Sequence, residues 1–196
     1  MFYKNELINA VFHSSSGGMT ENSSQVWKYQ LPYLKSVVDY DQNSTKYKWS
    51  NKFTSAELGK IFSDLGGVNG IQIIDKSDTG RVLKIRLHGK NGNRIISGKK
   101  LRERLQLNST KFEVDLKFNQ INLDNKLNFD NKIIDDFPPQ SLPPIPVNYF
   151  LFVEGYGAGH GVGMSQWGAK SMAERGSSFR QILKHYYSGV QIKTYY

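Results

Sequence analysis

The residues of this 196-residue chain best equipped for chemistry stand close together in EGYGAGHGVGMSQWGA: His160 between two glycines, then Ser165 and Gln166. An imidazole titrates near neutrality, so it can move a proton or donate to an oxygen. Gly159 and Gly161 leave this one sterically open. Gly155, Gly157, Gly159, Gly161 and Gly163 occupy alternate positions. Alternate residues of an extended backbone share a face, so the spacing predicts a strip bare of side chains on which a polymer can lie close. A tight packed bend with an idle His160 is the other reading. A nucleotide loop is excluded, because GxGxxG fails at its third glycine and GxxxxGK[ST] does not occur. Around the run, NYFLFVEG predicts a strand. MSQWGAKSMAERG predicts a helix anchored by Met164, Trp167 and Met172 and stopped by Gly176.

With these residues in view, the chain resembles the SpoIID/LytB domain of bacterial cell-wall proteins. GHGVGMSQWGA is the hallmark of that family. FHSSSGGMTENSSQVW with LPYLKSV, residues 12–37, is similar to its second signature, and ILKHYYSGVQI, residues 182–192, is similar to its third. The three blocks come in the family order. The resemblance implies a lytic transglycosylase cleaving peptidoglycan glycan strands between MurNAc and GlcNAc, or, on the LytB side, a non-catalytic wall-binding or amidase-enhancing module. It implies an extracytoplasmic place of work, in the cell wall or periplasm. The family's catalytic glutamate lies in a segment resembling GVVxxEMPxxWP upstream of HSSSGG. MFYKNELINAV holds no equivalent, so no residue here inherits that role. The missing segment and the missing export signal together predict a single SpoIID/LytB-like domain over residues 1–196, the C-terminal part of a longer protein.

Glycosidic cleavage needs a carboxylic acid to protonate the leaving oxygen and a group to stabilise the oxocarbenium-like state. Glu21, in the Gly- and Ser-rich loop, is the carboxylate candidate; as part of TENS it can equally accept backbone N–H groups in a turn. Glu6 and Glu154 read as solvated charges at strand ends. His160 is the best placed of the four histidines, and His13 could meet it across a cleft. His185 reads as packed beside Tyr186 and Tyr187 on a helix, and His88 as surface. The expected substrate-binding set is His13, Ser14, Ser15, Ser16, Gly17, Gly18, Trp27, Tyr33, Gly159, Gly161, Gly163, Ser165, Gln166 and Trp167. The three aromatics are included because such rings stack on the apolar faces of sugars; a place in the core is the plain alternative for each. Trp49 has no motif around it and receives no role.

No metal or other cofactor is expected, since HExxH is absent and there is no cysteine to supply thiolates. Serines stand in HSSSGG where some relatives carry a possible zinc-binding cysteine. The net charge of +9 attracts polyanions. That suits a wall rich in carboxylate and phosphate, and it also suits a merely basic surface. Apart from Lys99, Lys100, Arg102 and Arg104, the cations are scattered and no nucleic-acid motif appears, so specific nucleic-acid binding is not expected. The expected partners are peptidoglycan glycan strands and a cell-wall amidase. No apolar run is long enough to span a membrane.

The rest of the pattern predicts an α+β fold, a β-meander with a few short helices packed on it and the Gly-rich loop at a strand–helix junction. Thr54–Glu57 is a capping box leading into Leu58, Ile61, Phe62 and Leu65, ended by Gly66 and Gly67. GIQIIDKS, RVLKIRLH and NRIIS alternate as meander strands, KFEVDLKF as a further strand, and SGKKLRERLQL as a short helix. LINAVF reads as strand-like. Residues 119–148, rich in Asn, Asp and Pro, read as a surface excursion.

Overall fold

The computed structural model of the chain describes residues 1–118 and 148–194. The excursion expected at 119–148 lies, except for Asn148, outside the described residues. In chain order the described elements begin with β1 (Phe2–Tyr3), β2 (Glu6–Leu7), β3 (Phe12–His13), α1 (Ser23–Val26), β4 (Lys48–Thr54) and α2 (Ser55–Ile61). They continue with β5 (Gly70–Lys76), β6 (Val82–Gly89), β7 (Gly92–Ser97), α3 (Gly98–Leu105) and β8 (Phe112–Phe118). The last are β9 (Tyr149–Tyr156), β10 (Met164–Ser165), α4 (Gln166–Glu174) and α5 (Phe179–Tyr186). Short helices beside antiparallel sheets make this an α+β fold.

The meander forms as its alternation requires, with β6 central between antiparallel β5 and β7. A second antiparallel sheet has β9 between β4 and β8. Val82, Ile85 and Leu87 of β6 and Leu151 and Val153 of β9 point into one core, closed by Leu58 of α2 and Phe62 at its C-terminal end and by Leu101 and Leu105 of α3. The capping box at α2 is complete: the Thr54 side chain accepts from the Glu57 N–H, and the Glu57 carboxylate accepts from the Thr54 N–H. Such a cap is worth about 1 kcal/mol. Gly66, at φ +68°, turns the chain out of the following 3-10 turn.

A second core gathers the C-terminal helix with both motif loops: Tyr33, Leu34, Val162, Ile182, Tyr186, Tyr187 and Val190. Its hydroxyls are anchored. Tyr186 donates to Asp39 at 2.5 Å and Tyr187 to the Val11 carbonyl at 2.8 Å. Burial and the neighbouring Asp39 carboxylate both push the Tyr186 phenol far above its ordinary range, so it stays a donor.

Two expectations need correction, and one segment without an expectation proves to be a strand. LINAVF is not one strand: β2 covers only Glu6–Leu7, pairs with β1, and the chain resumes as β3 at Phe12. YKWSNKF, which carried no expectation, is β4, and the Trp49 indole N–H donates to the Gly157 carbonyl at 2.9 Å.

The second correction concerns the glycine run. Beyond Gly155, which ends inside β9, the run is not extended; Gly157, Gly159, Gly161 and Gly163 all have positive φ, so the chain coils. The bare side faces the protein rather than a polymer. A Cβ on Gly157 would lie 2.6 Å from the Ser15 carbonyl oxygen, and one on Gly161 would fall on the Arg81 guanidinium. Only glycine combines this backbone with this closeness.

Candidate functional site

Two loops far apart in sequence are laced together by main-chain hydrogen bonds. β10 pairs in parallel with β3, setting Ser165 against His13. Ser15 and Ala158 exchange both N–H···O bonds, at 3.1 and 2.7 Å, and the Glu21 N–H donates to the Gly161 carbonyl at 2.8 Å. The Trp167 N–H donates to the Ser14 carbonyl at 3.1 Å. The coiled glycines make this possible, since side chains at 157 and 163 would collide with the Ser15 and Val11 carbonyls.

Most hydroxyls of HSSSGG turn inward. Ser15 donates to Asp41 at 2.5 Å and Ser16 to Asp39 at 2.6 Å, while the Gly17 and Gly18 N–H groups both donate to Asp41 at 2.8 Å. Both aspartates are buried. Asp39 and Asp41 thus hold the loop's shape. Neither aspartate belongs to a recognised motif, and the signal in the sequence is a pair of acids in VDYDQ, just after the PYL block.

Beside this frame lies a cavity of about 380 Å³. Its wall takes Glu21, Gln25, Val26 and Trp27 from the first motif loop and its helix, and His160 from the glycine run. Arg81 comes from the turn before β6, Val82 and Leu83 from its start, Ser97 from the end of β7, Lys99 and Arg102 from α3, and Thr110 from the approach to β8. His160 stands between two rings, with centroids 5.5 Å from His13 and 5.4 Å from Trp27. Its Nδ1 accepts from the Val162 N–H at 3.0 Å. Burial, then the field of Arg81, lowers its pKa, so the imidazole is neutral near pH 7. Trp27 is 40% exposed, which leaves an indole face for a ligand.

Glu21 is fully buried and its carboxylate is engaged on both oxygens: Oε1 accepts from the Asn22 N–H at 2.8 Å, and Oε2 from the Ser77 and Thr79 hydroxyls. Those hydroxyls come from the β5–β6 turn that carries Arg81. Arg81 is buried at 2% exposure, and its Nη2 donates to the Ser16 carbonyl at 2.8 Å. No sequence signal pointed to it. Its seat is created by Gly161, a residue eighty positions away.

The structure therefore brings His13, His160, Trp27 and Glu21 to one place, as well as the ends of Gly159 and Gly161. Others of the expected set lie apart from the cavity wall. Tyr33 is in the second core, where its hydroxyl accepts from the Asn9 N–H at 3.1 Å. Ser165 is the buried N-cap of α4, accepting from the Gly168 N–H at 3.1 Å. Gln166 is exposed on the first turn of α4, and Trp167 is half-buried with the Lys170 ammonium 4.8 Å from its ring centre. Among the described residues no three His, Asp or Glu side chains converge as metal ligands.

Over 193 residues the chain is 36% identical to stage II sporulation protein D of Bacillus subtilis, an alignment covering 97% of this chain and 46% of that protein. The chain belongs to the SpoIID/LytB domain family. The same-named protein of Bacillus amyloliquefaciens is 34% identical over 97% of the chain and 46% of its own length. The amidase enhancer of Bacillus subtilis is 27% identical over 98% of the chain and 31% of its own length. No family model matches the chain. The chain spans about half the length of the sporulation proteins it matches. Family membership gives the loop lacing a meaning. Two of the three segments that carry the SpoIID/LytB likeness, 12–37 and 159–169, are those whose backbones interlock at the cavity.

His13 supplies a stability prediction. Burial first, then Arg81 and His160, lower its pKa to about 3. An unfolded histidine titrates near 6.5, so between these values the unfolded state binds a proton that the folded state refuses. Stability contributed by neutral His13 is complete above about pH 6.5 and is lost as pH falls toward 3, at up to about 1.4 kcal/mol per pH unit. Urea denaturation at pH 7 and pH 5 should show His13→Gln losing less stability on acidification than the unmodified chain. Equal losses would remove His13 from the account.

Proposed function

We propose that this chain is the glycan-engaging part of a cell-wall lytic transglycosylase of the SpoIID type, working outside the cytoplasm and holding a peptidoglycan strand across the cavity between the two motif loops. The observation that carries the reading is the wall of that cavity. An exposed indole, Trp27, stands beside a neutral imidazole, His160, in the loops that define the family. Trp27 stacks on a sugar face and His160 contacts sugar oxygens. Ser14 and, on α4, Gln166 and Trp167 extend the contact, and the buried Ser15, Ser16, Gly17 and Ser165 with the half-buried Gly18 keep the loops in shape. In cleavage between MurNAc and GlcNAc, which leaves 1,6-anhydro-MurNAc ends, Glu21 and His160 are the titratable groups next to the reacting bond. The names of the sporulation relatives and the three sequence blocks support a function at the cell wall.

A second reading is a non-catalytic module that enhances a wall amidase; the likeness to the amidase enhancer favours it. Glu21 also fits that reading, since its oxygens are committed to Asn22, Ser77 and Thr79. Both readings are tested on purified glycan strands by co-sedimentation and by mass spectrometry of the products. Trp27→Ala should weaken binding about tenfold, the equivalent of ~1.4 kcal/mol. Anhydro ends that disappear in His160→Ala and Glu21→Gln support cleavage. Binding without anhydro ends, with faster amidase turnover when one is added, selects the enhancer. Failure to sediment with glycan defeats both.

A further inference from the structure

The cations that look scattered along the sequence are unevenly spread in the fold. Residues 70–105, the β5–β7 meander and α3, hold ten of the 26 Lys and Arg but only three of the 17 Asp and Glu, which is +7 of the chain's net +9. Cations at the edges of this region are neutralised: Arg94 and Arg104 both pair with Asp64, Lys76 with Glu113 and Lys100 with Glu103. Those along the central strand are not. On β6, Lys84 and Arg86 alternate with the buried Ile85 and Leu87, so they share the outer face with His88, and Lys90 follows in the turn. Among the described residues no carboxylate comes within 4.0 Å of Lys84, Arg86 or Lys90, not even Asp75, the register partner of Lys84. Lys84 and Lys90 are exposed, and Arg86 is half-buried with its Nη1 donating to the Gln72 side-chain oxygen at 3.2 Å. Two residues along a strand span about 7 Å, so the cations stand in a row. Its Lys84 end lies opposite Ser97, a residue of the cavity wall. Like charges lined up without a counter-charge in the protein attract an anion that also repeats along a line.

We propose that this outer face binds a linear polyol phosphate, a chain of phosphodiesters joined by short hydroxylated carbon segments, laid along β6 with its phosphates on Lys84, Arg86 and Lys90. Ile74 and Ile95, 42% and 56% exposed, flank the row, and Ile95 stands directly opposite Arg86. They give the carbon segments an apolar bed. Gln72 and Asn93, opposite Arg86 and His88, border the row with side-chain amides that suit the hydroxyls. Residues 70–105 contain no Phe, Tyr or Trp. Single-stranded nucleic acids are held by rings that stack on bases, and membrane surfaces by rings set at the headgroup level. A face with cations in a row and no such ring fits a polyanion that has neither bases nor a bilayer behind it. The site lies outside the cavity and does not depend on what the cavity holds.

Fluorescence anisotropy of end-labelled poly(glycerol phosphate) titrated with the full chain tests this. Binding should weaken about tenfold between about 50 and 200 mM salt, the loss expected for three phosphate contacts. At the lower salt, the triple variant Lys84→Gln/Arg86→Gln/Lys90→Gln should bind at least about tenfold more weakly than the unmodified chain. Lys35→Gln/Lys46→Gln/Lys60→Gln removes the same charge from exposed positions elsewhere and should change binding little. Co-sedimentation with glycan strands, measured in parallel, should be unchanged in both, so a failure at the cavity is seen separately. Should the first triple variant not fold, as judged by circular dichroism, Lys84→Gln/Lys90→Gln, which leaves Arg86 on Gln72, should lose affinity severalfold. Equal losses in the two triple variants overturn the inference, because the attraction is then net charge alone. Tighter binding of an oligothymidylate of equal charge through the same row also overturns it and makes the ligand a nucleic acid. Tighter binding of phosphatidylglycerol vesicles overturns it in favour of a membrane surface. No binding of poly(glycerol phosphate) at the lower salt removes it outright.

Discussion

Asp41→Asn is expected to cost the fold about 3–5 kcal/mol, the range for removing a buried charge from its donors. Oδ2 of this buried carboxylate receives the Ser15 hydroxyl at 2.5 Å and the Gly17 N–H at 2.8 Å, and Oδ1 receives the Gly18 N–H at 2.8 Å. An amide in the same place presents an NH₂ group to at least one donor, so two donors face each other without water between them. The measurement is the urea midpoint of Asp41→Asn against the unmodified chain, with the exposed Asp75→Asn as the control for a generic Asp→Asn change. A loss below about 1 kcal/mol would mean that the HSSSGG loop keeps its shape without its carboxylate, and that our account of its serines is wrong.

Gly157→Ala is expected to cost about 3 kcal/mol or more, because backbone strain and a collision add at one residue. Gly157 has φ +72°, and its new Cβ would stand 2.6 Å from the Ser15 carbonyl oxygen, 2.7 Å from the Ser16 carbonyl carbon and 2.8 Å from the Gly17 nitrogen. All three are backbone atoms that cannot swing away. Gly176→Ala separates the two costs. Gly176 has φ +88° but open space around it, so it bears the strain alone, about 1 kcal/mol. If the two variants lose the same stability, the contact between the glycine run and the HSSSGG loop contributes nothing.

What could be read from the sequence follows from how local the cause was. The capping box at Thr54–Glu57, the meander over 70–97 and the helices through MSQWGAKSMAERG and ILKHYY are each decided by residues a few positions apart, and each is present. The glycine run was visible but its geometry was not. A period of two is shared by an extended strand and by a chain that visits the left-handed region at every second residue. What separates them is the contact with Ser15 and Val11, which a one-dimensional pattern does not contain. The same holds for the cavity. His160 and Glu21 stood out inside recognisable motifs, whereas Arg81 sits in an ordinary turn and becomes a site residue only because Gly161 makes room for it. Ser15 and Ser16 looked like groups offered to a ligand, but the aspartates that claim them lie more than twenty positions away.

The interlocking of the two motif loops also bears on the order in which the molecule can be made. The His13 ring and the Val162 carbonyl it meets are separated by 149 positions. Contacts of such range form slowly, and chains grow from the N-terminus. During synthesis the meander can fold as soon as it emerges, because its strands pair with near neighbours. The HSSSGG segment cannot: the N–H groups of Ser15 and Glu21 wait for the carbonyls of Ala158 and Gly161, which are made long after them. The cavity wall is therefore completed only after the glycine run has emerged, whereas the meander is in place before it.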